Sequence, residues 1–264
     1  MYLTAGGKTD QGLVRANNED NFYLDEKLGI LVVADGMGGH ASGETASKLA
    51  VNVIRDYFQG PQKMIGDYDR SYSETTNKLH CAVRLANMAV YEAAQSSPQL
   101  QGMGTTVAAV LLKDNKLSIA HIGDSRVYLI RAGNIDQLTD DHSIVSEQLK
   151  RDMITKEEAA KSEIKNILTK ALGISADMEA DLDELTVFDN DILLLCTDGL
   201  SNMVSDETAL EIISLAENSA AACDSLIKLA NENGGKDNIT VIVGYIKKKK
   251  WYSALFKFVQ FFRR

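Results

Sequence analysis

Only two prolines, Pro61 and Pro98, occur in 264 residues, and neither sits in a linker rich in Pro, Ser or Gly. No internal repeat and no low-complexity stretch appears before the C-terminus. The usual marks of a domain boundary are therefore missing, and one domain over 1–246 followed by a tail at 247–264 is expected. Cysteine is scarce as well. Cys81, Cys196 and Cys223 are odd in number and have no CxxC spacing, which fits a reducing compartment, and no His or Cys cluster offers a zinc site. No apolar run reaches 18 residues, so no spanning helix is expected. The opening MYLTAGGKTDQG lacks an apolar core of signal-peptide length, so no secretory leader is expected in it. AGGKT resembles a phosphate loop, but the Gly that such a loop needs five residues before Gly7 is Tyr2.

What remains is ordinary in bulk and uneven in charge. With 45% hydrophobic and 25% charged residues the chain can bury a sizeable core. Net charge is −9, but residues 247–264 carry five Lys, two Arg and no acid, which leaves −16 on 1–246. An acidic body argues against a nucleic-acid surface and suits a site that gathers divalent cations.

Six apolar runs bounded by Gly, Asp or Asn read as strands: Gly29–Ala34, Thr106–Leu112, Leu117–Ile122, Arg126–Arg131, Asp191–Cys196 and Ile239–Ile246. KDNK (113–116) and GDS (123–125) read as hairpin links, which implies antiparallel pairing. Helical spacing marks Ala46 to Tyr57 with Ser42 as N-cap, Ser73–Gln95, Asp206–Ala216 and Ala220–Asn233, the last ended by Gly234 and Gly235. Antiparallel strands with segregated helices predict an α+β fold, most simply two stacked sheets flanked by helices.

Four of the strands carry an aspartate at or just past an end. ILVVA is followed by Asp35 and Gly36, ILLLCT by Asp198 and Gly199, and LSIAHIG by Asp124, while Asp237 and Asn238 precede ITVIVGYI. Singly, an Asp before Gly reads as a turn that bonds its own backbone. If the four ends converge, their charges cannot all persist without a cation, and oxygen-only ligands select magnesium, calcium or manganese. A second cluster, TDQGLVRANNEDNF, sets Arg15 before Glu19 and Asp20. Arginine can grip a phosphate through two hydrogen bonds, and the acids could hold waters; a solvated loop with internal ion pairs is the other reading.

GLVRANNEDNF, VVADGMGGHASGE, GMGTT, AHIGDSRVYLIR, LTDDHS, LCTDGL and GGKDNITVIV together, in this order from Thr9 to Ile246, resemble the metal-dependent protein phosphatase family of the protein phosphatase 2C type, in its compact bacterial form. The resemblance implies a central antiparallel β-sandwich flanked by helices on both sides, with a two-metal centre of Mn²⁺ or Mg²⁺ at one edge. Asp35 would bridge the metals, the Gly36 carbonyl would bind one, and Asp198 and Asp237 would complete the first site. Asp124 with Asp198 would hold a third, weaker ion. Glu19, Asp20 and Asn238 would act from behind through water, and Arg15 would hold the substrate phosphate. The implied reaction is attack of a metal-activated water on phosphoserine or phosphothreonine in proteins, opposing a Ser/Thr protein kinase. A cytoplasmic monomer is expected. Competing readings are a hydrolase of small phosphate esters and an inactive member that only binds phosphoprotein or membrane.

Two departures stand out. The histidine that eukaryotic members place after the first Asp-Gly is Met37 here, so the leaving group's proton must come from water or another side chain; His40 is near, and His142 reads as structural. Within the flap expected at 146–166, the HPxRN of bacterial relatives is KSEIKN (161–166). The tail, KKKKWYSALFKFVQFFRR, lies outside the resemblance. It reads as a membrane-surface helix that would bring the protein to the inner face of the membrane, as a helix docked on the acidic body, or as a disordered end.

Overall fold

A computed structural model of the chain describes residues 1–38, 42–64, 68–155, 158–159, 162, 164 and 166–248. His40, half of the KSEIKN segment and the tail beyond Lys248 lie outside the described residues.

The strands are β1 (Tyr2–Asp10), β2 (Asp20–Asp25), β3 (Ile30–Met37), β4 (Gly104–Thr105), β5 (Val107–Lys113), β6 (Lys116–Ile122), β7 (Arg126–Arg131), β8 (Asn134–Gln137), β9 (Asp181–Thr186), β10 (Ile192–Cys196) and β11 (Ile239–Lys247). The helices are α1 (Ser42–Gln59), α2 (Glu74–Ser96), α3 (Ile144–Lys150), α4 (Asp198–Ser201), α5 (Asp206–Leu215) and α6 (Ser219–Glu232). One sheet runs β1-β11-β10-β7-β8; the other runs β2-β3-β5-β6-β9, with β4 beside β3. Every pairing is antiparallel.

The period of two explains the layers. On β3, Leu31 and Val33 face the other sheet with Leu195 and Ile242, while Ile30, Val32 and Ala34 pack under α1 and α2. On β11, Ile242 and Ile246 face inward and Ile239, Val241 and Val243 lie under α5 and α6. Both faces of each sheet are buried, so these strands read as unbroken apolar runs rather than alternating ones. The result is the α-β-β-α sandwich that the resemblance implies.

Helix ends follow the capping chemistry. Ser73, Ser205 and Asn218 accept hydrogen bonds from the backbone N–H three residues on. Ser42 is the first residue of α1 rather than its cap.

One expected hairpin is corrected. KDNK does join β5 to β6, with Lys113 opposite Lys116. GDS does not pair β6 with β7: β6 lies between β5 and β9, and β7 lies between β10 and β8 in the other sheet. Gly123, at φ +102°, turns the chain across the sandwich instead. Sequence cannot distinguish a link within a sheet from one between sheets, because both need a tight Gly-Asp turn. The crossing delivers Asp124 to the edge shared by both sheets.

Candidate active site

Arg15, Glu19, Asp35, Gly36, Met37, Thr106, Asp124, Asn166, Leu168, Asp198 and Asp237 line one cleft of about 310 Å³. The four strand-end aspartates therefore converge, although β3 and β6 belong to one sheet and β10 and β11 to the other. A neighbouring cleft of about 680 Å³ shares Asp124, Asn166 and Asp198 and continues under α3. A larger one, about 690 Å³, sits at the opposite strand ends around Tyr2, Gly29 and Lys113, away from these carboxylates.

The end of β3 is held through its backbone. Asp35 donates its N–H to Thr106 Oγ1 (2.9 Å), and its carbonyl accepts from the Thr105 hydroxyl (2.8 Å) and the Thr106 N–H (2.9 Å). These bonds leave the carboxylate to face the cleft. Gly36 donates to the Glu19 carbonyl at 3.1 Å, and a Cβ there would collide with the Gly43 and Glu19 carbonyls. The glycines thus answer a close approach of three backbone segments.

Asp198 opens α4, and Asn202 donates to its Oδ2 at 3.0 Å. Asp237 accepts from its neighbour's N–H, Asn238 N (2.9 Å), and from Arg15 Nη2 (2.7 Å). That contact, with Asp35 and Asp198 nearby, raises the pKa of Arg15 further. Asn238 does not line the cleft. Its Nδ2 donates to the carbonyls of Gln11 (2.9 Å) and Asn17 (2.8 Å), and its Oδ1 accepts from Glu19 N (2.8 Å). It ties down the loop that carries Arg15 and Glu19. Gly199 packs against this residue, and a Cβ there would land on the Asn238 carbonyl. Gly199→Ala is therefore expected to cost about 1–3 kcal/mol, as overpacking does, and to lower the melting temperature by several degrees in a thermal melt.

Asp20 sits behind the cleft, opposite Asp35 in the β2–β3 ladder and 4% exposed. Its Oδ2 accepts from Thr240 Oγ1 (2.7 Å) and Thr197 Oγ1 (2.8 Å), and its Oδ1 is buried without a partner. Burial pushes its pKa up to about 7 despite the two threonines, and Asp198 and Asp237 add to the rise. Burial also raises Asp124, to about 8, with help from Asp198 and Asp141. Asp35 is held well above the ordinary carboxylate range by burial and then by Asp20, Asp198, Asp124 and Asp237. Acids crowded this way require protons or cations. The donor set is all oxygen and includes an orphaned buried Asp20 oxygen, so it fits hard divalent ions. Beside this centre, His121, His142 and Asp181 bring ligating atoms within 4.8 Å of one another, the one such group found among the described residues.

Sequence reasoning gave no role to Thr106, Thr197 or Thr240, whose hydroxyls fix Asp35 and Asp20. The available signal was a β-branched hydroxyl residue beside the aspartate in an otherwise aliphatic run, as in CTD and DNIT.

Residues 14–234 match the family model described as Protein phosphatase 2C. The chain is 40% identical over 243 residues to the serine/threonine protein phosphatase PstP of Mycobacterium tuberculosis (strain H37Rv), an overlap of 92% of this chain and 45% of that protein. It thus spans a little under half the length of that relative. It is 38% identical over 239 residues to the serine/threonine phosphatase stp of Listeria innocua, covering 89% of this chain and 93% of that one. A crystal structure of the catalytic domain of PstP in complex with 2 manganese ions superposes with a TM-score of 0.82 at 39% identity, over 94% of this chain and 99% of that chain.

Proposed function

The chain belongs to the protein phosphatase 2C family, and we propose that it hydrolyses phosphoserine and phosphothreonine in proteins with Mn²⁺ or Mg²⁺ as cofactor. One observation carries this reading: Arg15 and the carboxylates of Asp35, Asp124, Asp198 and Asp237 share a single cleft. A binding-only protein has no use for so many crowded acids, and the inactive alternative finds no support in the comparisons.

Asp35, the Gly36 carbonyl, Asp198 and Asp237 would hold two cations, with Asp124 and Asp198 offered to a weaker third. Glu19 and Asp20 would act from behind through water, while Asn238 fixes the loop beneath them. When bound, the cations supply positive charge that lowers the pKa of water and balances phosphate. The chain's own residues do the rest. Arg15 has donors to spare beyond its bond to Asp237 and orients the phosphate at the mouth of the cleft. Thr105 and Thr106 hold Asp35 in register. Met37 lines the cleft with no proton to give, so the leaving alkoxide takes its proton from water.

The test is phosphate release from a phosphothreonine peptide with manganese and with chelator. Metal-dependent release supports the reading; no release from folded, metal-loaded protein overturns it. Comparing the peptide with small phosphate esters separates the remaining enzymatic rival. Arg15→Ala is expected to lower kcat/KM for the peptide by about tenfold to a hundredfold, the scale of a charge-assisted hydrogen bond at ~1.5–3 kcal/mol, and to weaken inhibition by inorganic phosphate.

In its cell we place the protein as a monomer acting on phosphoproteins, a Ser/Thr protein kinase among them, and not on nucleic acid. No described helix is long and apolar enough to cross a membrane. The basic aromatic segment 247–264 would rest on anionic lipid at the cytoplasmic face. Sedimentation with anionic vesicles, with and without that segment, tests this.

A further inference from the structure

The cluster of His121, His142 and Asp181 invites a metal, but its hydrogen bonds point elsewhere. The Gly123 N–H donates to His142 Nδ1 at 3.0 Å. An N–H can only donate, so Nδ1 is bare and the neutral ring carries its proton on Nε2. That nitrogen meets Asp181 Oδ2 at 3.1 Å, an electrostatic contact rather than a well-aligned hydrogen bond. With the proton there, Nε2 has no lone pair to give an ion. His121, stacked on the same ring at 4.7 Å, is bonded through its Nε2 to the Asp140 carbonyl at 3.0 Å.

The same geometry describes a clamp. His142 also donates its own N–H to the Gly123 carbonyl at 2.9 Å, so both backbone groups of Gly123 are held by one residue. On the far side of Asp124, Arg126 is locked to Asp141 by two bonds of 2.7 and 2.9 Å. Adjacent residues of one loop, Asp141 and His142, thus bracket Asp124. His142 reaches further. Its carbonyl accepts from Thr169 N at 2.8 Å, and Asp181 is paired with Lys170 at 2.8 Å. The neighbouring Asn166 and Leu168 form part of the cleft wall.

We propose that His142 is a positioning residue that holds Asp124 at the cleft and ties its place to the segment 166–170. The proposal rests on the reading of Asp124 as a ligand of the weakest cation. Removing the clamp leaves Asp124 its charge but not its position.

Two near-isosteres separate the ring's two ends. Asparagine at 142 sets an oxygen where Nδ1 was and keeps the acceptor for Gly123, but it cannot reach Asp181. Glutamine reaches toward Asp181 and loses that acceptor. The experiment is Mn²⁺ titration of the full chain, read by the electron paramagnetic resonance signal of free Mn²⁺, beside thermal melts and the Mn²⁺ dependence of peptide hydrolysis. In His142→Gln the weakest Mn²⁺ class is expected to lose about 10–100-fold in affinity, as when the group supporting a metal ligand is removed. The tighter sites should be unchanged, and half-maximal activity should need correspondingly more Mn²⁺. His142→Asn should bind close to wild type, and Asp124→Asn should lose the same weak class. If folded His142→Gln binds Mn²⁺ like wild type while Asp124→Asn does not, the clamp is refuted. If Asn and Gln weaken binding equally, along with a matching fall in melting temperature, His142 is packing only. If Asp124→Asn keeps every Mn²⁺ site, the reading of Asp124 beneath the proposal fails.

Discussion

Asp35→Asn is expected to reduce phosphate release from a phosphothreonine peptide by at least about 10²–10³-fold, the scale on which a single electrostatic stabiliser acts, while leaving the chain folded. The two halves of this result have separate causes. The backbone of Asp35 is fixed by Thr105 and Thr106, and those bonds do not involve the carboxylate. An amide of the same shape therefore keeps β3 in place. What it removes is a carboxyl whose ionisation is opposed by burial and then by Asp20, Asp198, Asp124 and Asp237, which hold its pKa well above the ordinary range. In the metal-free protein that ionisation is a liability. The variant should melt at the same or a higher temperature in chelator, yet gain less on addition of Mn²⁺. A large loss of activity with unchanged Mn²⁺ binding would mean that Asp35 acts on the substrate rather than on the cations. Full activity would remove it from the site altogether.

How much of this was legible beforehand depended on side-chain chemistry more than on topology. The buried strands β3, β5, β6, β7, β10 and β11 were readable because both faces are covered, which makes the whole run aliphatic. Strands β1 and β9 were not. β1 reads TAGGKT, and its glycines are there because α6 lies on Gly6 and Phe22 of β2 on Gly7, a cause that no window of sequence contains. β9 is an edge strand, DLDELT, whose two apolar residues, Leu182 on the helix side and Leu185 toward the other sheet, are outnumbered by acids and Thr. The four aspartates were visible as strand ends, but their convergence depended on which sheet each strand joined. The link that looked like a hairpin, Gly123 to Ser125, is the one that crosses between sheets. The resemblance supplied the roles of Asp35 and Arg15. It gave no role to Thr197 and Thr240, which bond Asp20, and His142, read only as structural, bonds Gly123 beside Asp124; residues that act by holding others carry no reactive signature of their own.

Without cations the protein should be most stable near pH 4–5 and lose stability steadily as the pH rises through 7 and 8. The sign follows from where the protons go. Asp20 and Asp124 hold theirs to about 7 and about 8 in the folded chain, and Asp35 well above the usual range, whereas all three release near 3.8 once unfolded. Between those limits the native state binds more protons than the unfolded one, so each step up in pH favours unfolding. Asp181, held at about 2 because Lys170 and His142 outweigh its burial, acts the other way: its contribution is present above about pH 4 and fades toward pH 2. Most proteins are most stable between roughly pH 5 and 8, so a maximum on the acid side would mark this centre. Divalent cations at a hundred times their dissociation constant would add about 2.7 kcal/mol. At ~2–4 °C per kcal/mol for a chain of this size, that raises the melting temperature by about 5–10 °C. The gain should be largest at pH 8, where the carboxylates have given up their protons, and small at pH 5, where protons still compete. Melts from pH 4 to 9, with chelator and with Mg²⁺, read both trends at once. A metal-free curve that rises toward neutral pH would mean that the cleft's acids are solvated and uncoupled, and the cation site would lose its physical basis.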